Sequence, residues 1–451
     1  MQKQSNRKKK NKKSVIDIKG ITKITVSGYK SIAQEQSIEI RPLTILAGAN
    51  SSGKSSIMQP LLLLKQTIDS PYDPGSLLLN GPNVRFTSGD QLLSRIGKKQ
   101  TVNSFYVGIK SGLYDSVTFH FKKQPNKELK IDKMTYIDKD EKAIIYRKMS
   151  HKDIESVIPI DLRPLYEMIS KDSKKKAELI VTRNRFFLEL GITQRTGKER
   201  RNIITISLAG KIEPYIRNLI HLPGLRGNPA RTYPVTAVES SFPGIFQTYA
   251  ASVIAQWQRD KNINKLKKIS NYLQKLGLTW RVTTKSISDT EVELRVGRLS
   301  DISEGKSRDL ISIADIGFGV SQTLPILISL VAAEPGQLVY IEQPEIHLHP
   351  RAQIALAEVL ADTANRGVRV VAETHSGLLL LSIQALLAEG KISPENVKLH
   401  WFERHDPNGY TNITSADIDK SGTFGDWPED FGQVDLEVQS RYLDAFESFH
   451  N

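Results

Sequence analysis

The spacing of apolar residues predicts a chain that starts with β-strands. Ile21 to Val26 alternates apolar and polar residues, as a half-buried strand does, and Ser37 to Ile40 is its expected hairpin partner. Leu43 to Ala47 is apolar except at Thr44, which favours a strand buried on both faces, and Ile57 to Gln66 follows with helical spacing. Alternation returns between residues 103 and 122 and predicts more antiparallel strands.

The second half of the chain adds two more buried strands. Gln337 to Glu342 and Val368 to Glu373 are apolar runs that each end in a glutamate. Asn262 to Leu276 carries an apolar stripe at helical spacing. We therefore expect a divided core at 15–122 and 290–400, an α/β insertion at 123–289, and a small C-terminal module at 401–451.

Composition and charge narrow the class of protein. The chain has 451 residues, 39% of them hydrophobic, and no cysteine, which excludes disulfides and favours a cytoplasmic location. No apolar run approaches the roughly 18 residues that cross a membrane. The formal net charge is +14, and seven of the first 13 residues are basic. Residues 1–14 are expected to be a disordered basic arm.

A second basic stretch lies between residues 171 and 201. It holds ten Lys or Arg against four acids and includes Phe186 and Phe187. Contact with DNA phosphates and an ordinary solvated face are both consistent with this composition.

The strongest chemical signal is a phosphate-binding loop between the third predicted strand and the first helix. Gly48 and Gly53 let successive N–H groups point at one anion, Lys54 supplies a positive charge, and the Ser55 hydroxyl suits Mg²⁺. The residues expected to bind nucleotide here are Gly48, Asn50, Ser51, Ser52, Gly53, Lys54, Ser55 and Ser56. The sequence therefore predicts ATP and Mg²⁺ as ligands.

Two residues at the ends of the predicted strands 337–342 and 368–373 add to the predicted nucleotide site. Glu342 ends a strand and is expected to hold the metal beside Ser55. His375 follows the other strand, where an imidazole can sense the outer phosphate or position water. Both are therefore expected at the nucleotide.

Four ordered motifs resemble the ABC-type ATPases related to RecF and the OLD (overcoming lysogenisation defect) family. They are the phosphate loop, the segment from Asp315 to Pro325, the run Ile341 to Pro350, and Glu373 to Ser376. The resemblance implies an α/β, bilobed ABC-type ATPase head, built from a phosphate-loop parallel sheet and an antiparallel β subdomain.

The resemblance also assigns further residues. Gly317, Gly319, Ser321 and Gln322 would act as the signature motif, which caps the γ-phosphate held by a second subunit, so a head-to-tail homodimer or higher homo-oligomer is expected. Gln91 is a candidate for the loop glutamine near the metal. Pro350 would lie in the dimer seam.

One departure concerns the general base. Superfamily members place an Asp and then a catalytic Glu at the end of the acid strand, whereas this chain has Glu342 and then Gln343. A glutamine cannot accept a proton from the attacking water. Either Glu345 takes that role, or hydrolysis is slow and ATP mainly holds a dimer closed.

Other motifs carry weaker chemistry. Arg226 and Arg231 can reach a phosphate or a partner's acid, or pack in a turn. The pair His347 and His349 favours seam packing over zinc, because further ligands are missing. Asp417 and Asp419 lack the acid cluster of a nuclease, so no nuclease activity is expected in this chain.

Three functions follow from the resemblance. The first is an ATP-dependent dimerising switch that controls a separate nuclease, as in anti-phage systems such as Septu, PARIS and Gabija-like modules. The second is a RecF-like repair ATPase that binds DNA directly. A transporter ATPase ranks last, because nothing in the sequence marks a membrane-coupling surface.

Overall fold

A computed structural model describes residues 19–424, with gaps at 97–99, 113–114, 126–127, 140, 159–162, 171–175, 197–198, 238–240, 299–308 and 406–408, and also residues 440, 441 and 443. The predicted basic arm and most of the predicted C-terminal module lie outside the described residues.

The strands are, in chain order, β1 Ile21–Ser27, β2 Gln36–Glu39, β3 Leu43–Gly48, β4 Arg95–Ile96, β5 Gln100–Thr101, β6 Ser104–Ser111, β7 Asp115–Lys123, β8 Leu129–Asp138, β9 Glu141–Tyr146, β10 Lys176–Asn184, β11 Phe187–Thr196, β12 Glu199–Ile206, β13 Ile220–Leu222, β14 Tyr233–Pro234, β15 Val282–Ser286, β16 Glu291–Gly297, β17 Leu310–Ser312, β18 Leu338–Glu342, β19 Arg369–Glu373, β20 Val397–His405 and β21 Tyr410–Ala416. The α-helices are α1 Lys54–Asp69, α2 His151–Val157, α3 Arg163–Ser170, α4 Glu213–Arg217, α5 Ala250–Arg259, α6 Ile263–Lys275, α7 Phe318–Ala332, α8 Pro350–Asn365 and α9 Gly377–Ala388.

A six-stranded, mostly parallel sheet positions the candidate site. Its order is β13-β18-β19-β3-β20-β21, and β21 alone runs antiparallel to its neighbour. Strand β19 therefore lies between β18 and β3. Because the carboxyl ends of parallel strands meet at one edge, the residues that follow Gly48, Glu342 and Glu373 lie together there.

The two faces of this sheet belong to different hydrophobic cores. Leu46, Tyr340 and Val371 face the core that contains α1 and the antiparallel strands. Neighbouring residues such as Ile45 and Ile341 face the core formed with α5 to α9. The apolar runs seen in the sequence thus arise from strands that are buried on both faces.

A second six-stranded sheet is antiparallel, with the order β2-β1-β6-β7-β8-β9. The expected hairpin is confirmed, since Ile24 of β1 lies opposite Ile38 of β2. The helix predicted between 262 and 276 is also confirmed, as α6, with the Asn262 side chain accepting a hydrogen bond from the Lys265 N–H. Mixed parallel and antiparallel sheets with flanking helices make this an α/β fold, as expected.

The described residues of the basic stretch at 171–201 contribute to a smaller sheet of β10, β11 and β12. Phe186 and Phe187 are buried in it, 0% and 3% exposed, and both rings pack edge-on against Phe119. The two rings therefore belong to the core, and phosphate contact by the basic side chains of this stretch stays a prediction.

The sheets do not follow the predicted division of the chain. Strand β13 falls within 123–289, and β21 lies beyond residue 400, yet both belong to the parallel sheet. Strands β8 and β9, also within 123–289, extend the antiparallel sheet. In the described part of the chain, no helix has the length and apolar character needed to span a membrane.

Candidate functional site

The loop between β3 and α1 has the backbone conformation that the phosphate-loop motif requires. Gly48 and Gly53 have φ of 140° and 102°, in the region that favours glycine. A Cβ on Gly53 would lie 2.2 Å from Thr411 Oγ1, and one on Gly48 would lie 2.3 Å from the Phe402 carbonyl oxygen. Both glycines are therefore required by backbone shape and by close packing.

Lys54 and Ser55 follow at the start of α1. Lys54 is 3% exposed, and its Nζ donates to the carbonyl oxygens of Gly48 and Ala49 at 2.9 and 2.7 Å. Burial lowers the pKa of Lys54, and the charges of Glu373 and Glu345 oppose that shift. The ammonium group thus lies inside the loop, where a bound phosphate would meet it.

Ser55 contacts an acid that sequence reasoning had not assigned to the site. Its Oγ lies 3.1 and 3.0 Å from the two carboxylate oxygens of Glu373, and the Tyr340 hydroxyl donates to the same carboxylate at 2.9 Å. Burial raises the pKa of Glu373, against hydrogen bonds from Tyr340 and Ser55. The signal was present in the sequence, because Glu373 ends a buried strand just before Thr374 and His375.

Glu342 is held by a different part of the chain. It accepts hydrogen bonds from His221 Nε2 at 3.1 Å and from the Gly224 N–H at 3.1 Å. Burial favours a higher pKa, but the His221 and Gly224 hydrogen bonds and the charge of Arg226 outweigh it, so the pKa of Glu342 is lowered. Glu342 is therefore a carboxylate in the folded protein, oriented by β13 and the turn after it.

His221 is 1% exposed, and its ring stacks on the Tyr340 ring with centroids 5.5 Å apart. Its Nδ1 lies 3.2 Å from the Asn83 amide nitrogen, which can only donate, so Nδ1 accepts and Nε2–H donates to Glu342. No functional role was predicted for His221, which lies at the start of the segment that contains Arg226.

Gln343 and Glu345, the residue at the usual position of the general base and its possible replacement, have different surroundings. Gln343 has φ of 45°, its N–H donates to the Glu373 carbonyl oxygen, and its side chain lines the cavity described below. Glu345 Oε1 accepts from Thr374 Oγ1 at 2.8 Å and from the His375 N–H at 2.9 Å. Glu345 is thus bonded to the His375 loop, and it is absent from the residues that line that cavity.

An open cavity of about 400 Å³ lies over the phosphate loop. It is lined by Lys30, Ser31, Asn50, Ser51, Gly53, Lys54, Ser55, Ser56, Gln59, Glu342, Gln343, Glu373, His375 and Arg404. The structure therefore brings most of the predicted loop residues together with Glu342, Gln343 and His375, and it adds Lys30 and Arg404, which carried no motif. Burial and the charge of Lys54 lower the pKa of His375.

The chemistry of this lining fits a Mg²⁺ nucleotide. A serine hydroxyl and carboxylate oxygens are the hard donors that Mg²⁺ takes in combination with phosphates and water. Within the described ranges, no group of three His, Asp or Glu side chains converges as a metal site made by protein alone. Ser55, Glu373 and Glu342 would hold the ion.

Two further predicted residues, Ser52 and Gln91, have side chains outside the lining of this cavity. Ser52 is buried beneath the loop, and its carbonyl oxygen accepts from Thr411 Oγ1 at 2.7 Å. Gln91 has an exposed side chain that accepts from the Thr87 N–H, and it does not line the cavity. Gln91 was predicted as a metal residue, but the 3-10 turn at 89–91 directs it to Thr87 instead.

The proposed signature segment begins α7. Gly317 precedes the helix without a side-chain cap, and Phe318 is 57% exposed. Ser321 Oγ donates to the Phe318 carbonyl oxygen, and Gln322 Nε2 donates to the Gly227 carbonyl oxygen. None of the described residues from 317 to 322 lines the phosphate cavity of the same chain.

Arg226 connects the proposed signature segment to the end of β18 by hydrogen bonds. Its Nη1 donates to the Gln322 carbonyl oxygen at 3.2 Å, and its Nη2 donates to those of Glu342 and Gln343 at 2.7 and 3.2 Å. Burial lowers the pKa of Arg226 to about 10, so it stays charged at neutral pH. Arg231 instead pairs with Asp315 at 2.8 Å near the surface.

The remaining histidine and aspartate motifs have structural partners. His349 caps α8, where its ring accepts from the Arg351 N–H, and His347 lies beside the Phe318 ring. Asp417 pairs with Arg41 and Lys398, and Asp419 accepts from the N–H groups of Ser421 and Thr423.

Two family models match adjacent parts of the chain. One is described as "AAA ATPase domain" and covers residues 20–209, and the other is described as "AAA domain, putative AbiEii toxin, Type IV TA system" and covers residues 219–382. The chain carries AAA-type ATPase domains. The first match contains the phosphate loop, and the second contains Glu342 and His375.

Solved structures similar to this chain include heads of Smc proteins. A Smc head bound to the C-terminal winged-helix domain of ScpA is 13% identical, with a TM-score of 0.47, over 89% of this chain and 99% of that one. The Smc head of Thermotoga maritima is 10% identical, with a TM-score of 0.41, over 88% of this chain and 100% of that one. No curated protein sequence matches the chain significantly.

Proposed function

We propose that this protein binds ATP with Mg²⁺, hydrolyses it slowly, and dimerises head to tail while ATP is bound. The observation that carries the proposal is the acid arrangement beside the phosphate loop. Glu373 contacts Ser55, Glu342 is oriented by His221, and Gln343, the residue that the resemblance aligns with the usual base, lines the same cavity. These groups suit holding a Mg²⁺ nucleotide better than removing a proton from water.

Each residue has a defined task in this scheme. Lys54 and the loop N–H groups bind the phosphates, while Ser55, Glu373 and Glu342 hold the ion, which supplies charge neutralisation on the phosphate oxygens. Gln343 can orient a water molecule but cannot take its proton. Glu345 fixes the His375 backbone at 2.9 Å and acts as a positioning residue.

Dimerisation is supported by the signature segment. Gly317 and Phe318 are exposed at the N-terminus of α7, and this segment does not line its own chain's cavity. A helix N-terminus attracts anions. A second subunit's γ-phosphate is the anion that the resemblance assigns to it.

We further propose that this switch regulates a separately encoded nuclease in bacterial anti-phage defence. The matched family description names a toxin of a toxin–antitoxin system, which is consistent with a role in a multi-component defence module. The alternative is a repair ATPase that binds DNA directly, for which the basic composition of residues 171–201 is the supporting observation.

Sizing by light scattering, with and without Mg²⁺-ATP, tests the switch. The wild type should double its mass with ATP, and Lys54→Ala should stay unchanged. A wild type that remains monomeric with ATP bound would refute head-to-tail dimerisation.

The two biological roles separate in a DNA-binding assay. The defence role predicts that a neighbouring nuclease co-purifies and that its activity responds to ATP. Tight DNA binding by this chain alone, with a steep salt dependence, would favour the repair role.

A further inference from the structure

A second cavity lies at the opposite edge of the parallel sheet from the phosphate loop. Its volume is about 930 Å³, and it adjoins the amino ends of β18, β19, β3 and β20. The residues that line it are Lys19, Thr22, Lys23, Ser37, Glu39, Ile40, Arg41, Pro42, Lys110, Gly112, Pro335, Gly336, Gly367, Arg369, Glu395, Asn396 and Ser415. Five of these side chains are basic and two are acidic.

The acidic side chains are largely engaged with other groups. Glu39 lies 2.9 Å from Arg41 and 3.6 Å from Lys398, and Arg41 also bonds Asp417 at 2.8 Å. Glu395 is exposed, and a hydrogen bond from the Ser393 side chain is the main cause that lowers its pKa. Arg41 is thus neutralised by acids, whereas the other four cations are not paired in this way.

Two of those cations face each other directly. Lys23 of β1 and Lys110 of β6 are Cα partners in the antiparallel pairing, and both line the cavity. Glu39 lies opposite Lys23 on β2, but its ion pairs are with Arg41 and Lys398. Like charges directly opposite on neighbouring strands destabilise a sheet. None of the ion pairs among the described residues includes Lys19, Lys23, Lys110 or Arg369. An anion between the two lysines would remove this repulsion.

Arg369 adds a buried charge to the same wall. It is 6% exposed, and it donates from Nε to the Lys19 carbonyl oxygen at 2.8 Å and from Nη1 to that of Ile40 at 2.7 Å. Burial lowers its pKa, and no carboxylate among the described residues opposes that shift. A buried cation without an acid partner is costly unless an anion compensates it.

The wall around Arg369 is also shaped by glycines. Gly20 and Gly336 have φ of 95° and 84°, and a Cβ on Gly20 would lie 2.2 Å from the Gly336 carbonyl oxygen and 2.8 Å from Arg369 Nε. The close approach of these two backbone segments fixes the guanidinium against the cavity.

We propose that this cavity binds a small molecule bearing two or more phosphates, such as inorganic triphosphate or a nucleoside triphosphate. Its volume lies in the range of small-molecule pockets, about 300–1,000 Å³. Because Arg369 is buried, the cavity is better suited to a compact ligand that enters it than to a nucleic-acid duplex lying on the surface. The inference does not rest on the proposed ATPase switch, because none of its residues lines the phosphate-loop cavity.

The test uses the full chain with Lys54→Ala, so that the phosphate loop does not contribute binding. Isothermal titration with inorganic triphosphate, without Mg²⁺, should reveal one site. Adding Lys23→Glu and Lys110→Glu should weaken that site by about tenfold or more, since both charge contacts change sign. Lys23 is exposed and Lys110 is half-buried, and neither belongs to a hydrophobic core, so the fold should be kept.

The matched control is Lys142→Glu with Lys285→Glu, two exposed strand lysines outside the cavity that change the net charge equally. Binding should change less than twofold in this control. Equal weakening in both pairs, absence of binding at low salt, or binding of a single-stranded oligonucleotide but not triphosphate would overturn the proposal. Competition by ATP for the triphosphate site would show that the cavity recognises the phosphates and also accepts a nucleotide.

Discussion

Glu373→Gln gives the sharpest test of the site, because it removes the charge beside Ser55 while it keeps the side chain's size. The native carboxylate accepts from Ser55 Oγ at 3.1 and 3.0 Å and from the Tyr340 hydroxyl at 2.9 Å. A glutamine oxygen at the Oε2 position can still accept from both hydroxyls, but the other carboxylate oxygen becomes an amide NH₂ that donates, so Ser55 loses one of its two acceptors. If Glu373 holds the ion, ATP turnover or Mg²⁺ affinity should fall about 10- to 100-fold, the range for residues that orient a metal site.

Stability should respond differently from turnover. The lost hydrogen bond costs about 1–3 kcal/mol, but removal of a buried charge offsets that cost, so we expect a change within about 1 kcal/mol near neutral pH. Burial raises the pKa of Glu373 in the folded protein above its value in the unfolded chain. The contribution of Glu373 to the free energy of unfolding is therefore full at a pH below the unfolded-state pKa, and it is lost as the pH rises through the folded-state pKa. The variant should therefore gain stability relative to the wild type as pH rises.

The assays are steady-state phosphate release across a Mg²⁺ series, and urea unfolding at several pH values. Glu291→Gln is the control, since Glu291 is exposed on β16 and distant in sequence from the site. Unchanged turnover at every Mg²⁺ concentration in Glu373→Gln would refute the assignment of this residue to the metal.

Other substitutions test separate parts of the reasoning. Lys54→Ala should abolish ATP binding, measured by titration calorimetry, because the loop loses its cation. His221→Phe, which keeps a ring on Tyr340 but has no donor, should shift the acid limb of the pH–turnover profile to higher pH, because Glu342 loses a hydrogen bond that lowers its pKa; an unmoved limb would contradict this. Arg226→Met should lower the free energy of unfolding by about 2–4 kcal/mol in urea, because three carbonyl oxygens lose their donor. Phe186→Ala should cost about 3–5 kcal/mol by the same measurement, and a loss of DNA binding with native stability would contradict its burial in the core.

Local patterns predicted most of the elements that carry the site. The buried strands at 43, 337 and 368 were identifiable because continuous apolar runs are typical of parallel strands covered on both faces. The loop glycines were identifiable because their spacing has a mechanical cause. These features depend on short stretches of chain.

Contacts between distant segments were not predictable in the same way. His221 meets Glu342 because β13 pairs with β18, and nothing near residue 221 indicates that pairing. The contact of Ser55 with Glu373 depends on β19 lying between β18 and β3. The burial of Phe186 and Phe187 depends likewise on a distant residue, because both rings pack against Phe119 of β7.

The position of β3 has a consequence for synthesis on the ribosome. Its two neighbours, β19 and β20, come from the far end of the chain, with Leu46 opposite Glu373 and Gly48 opposite Phe402. At about 5–20 residues per second, roughly 20–70 s pass between translation of the phosphate loop and translation of its last partner strand. Until then both edges of β3 lack their native partners, so the nascent chain should depend on chaperones and acquire nucleotide binding only near the end of translation.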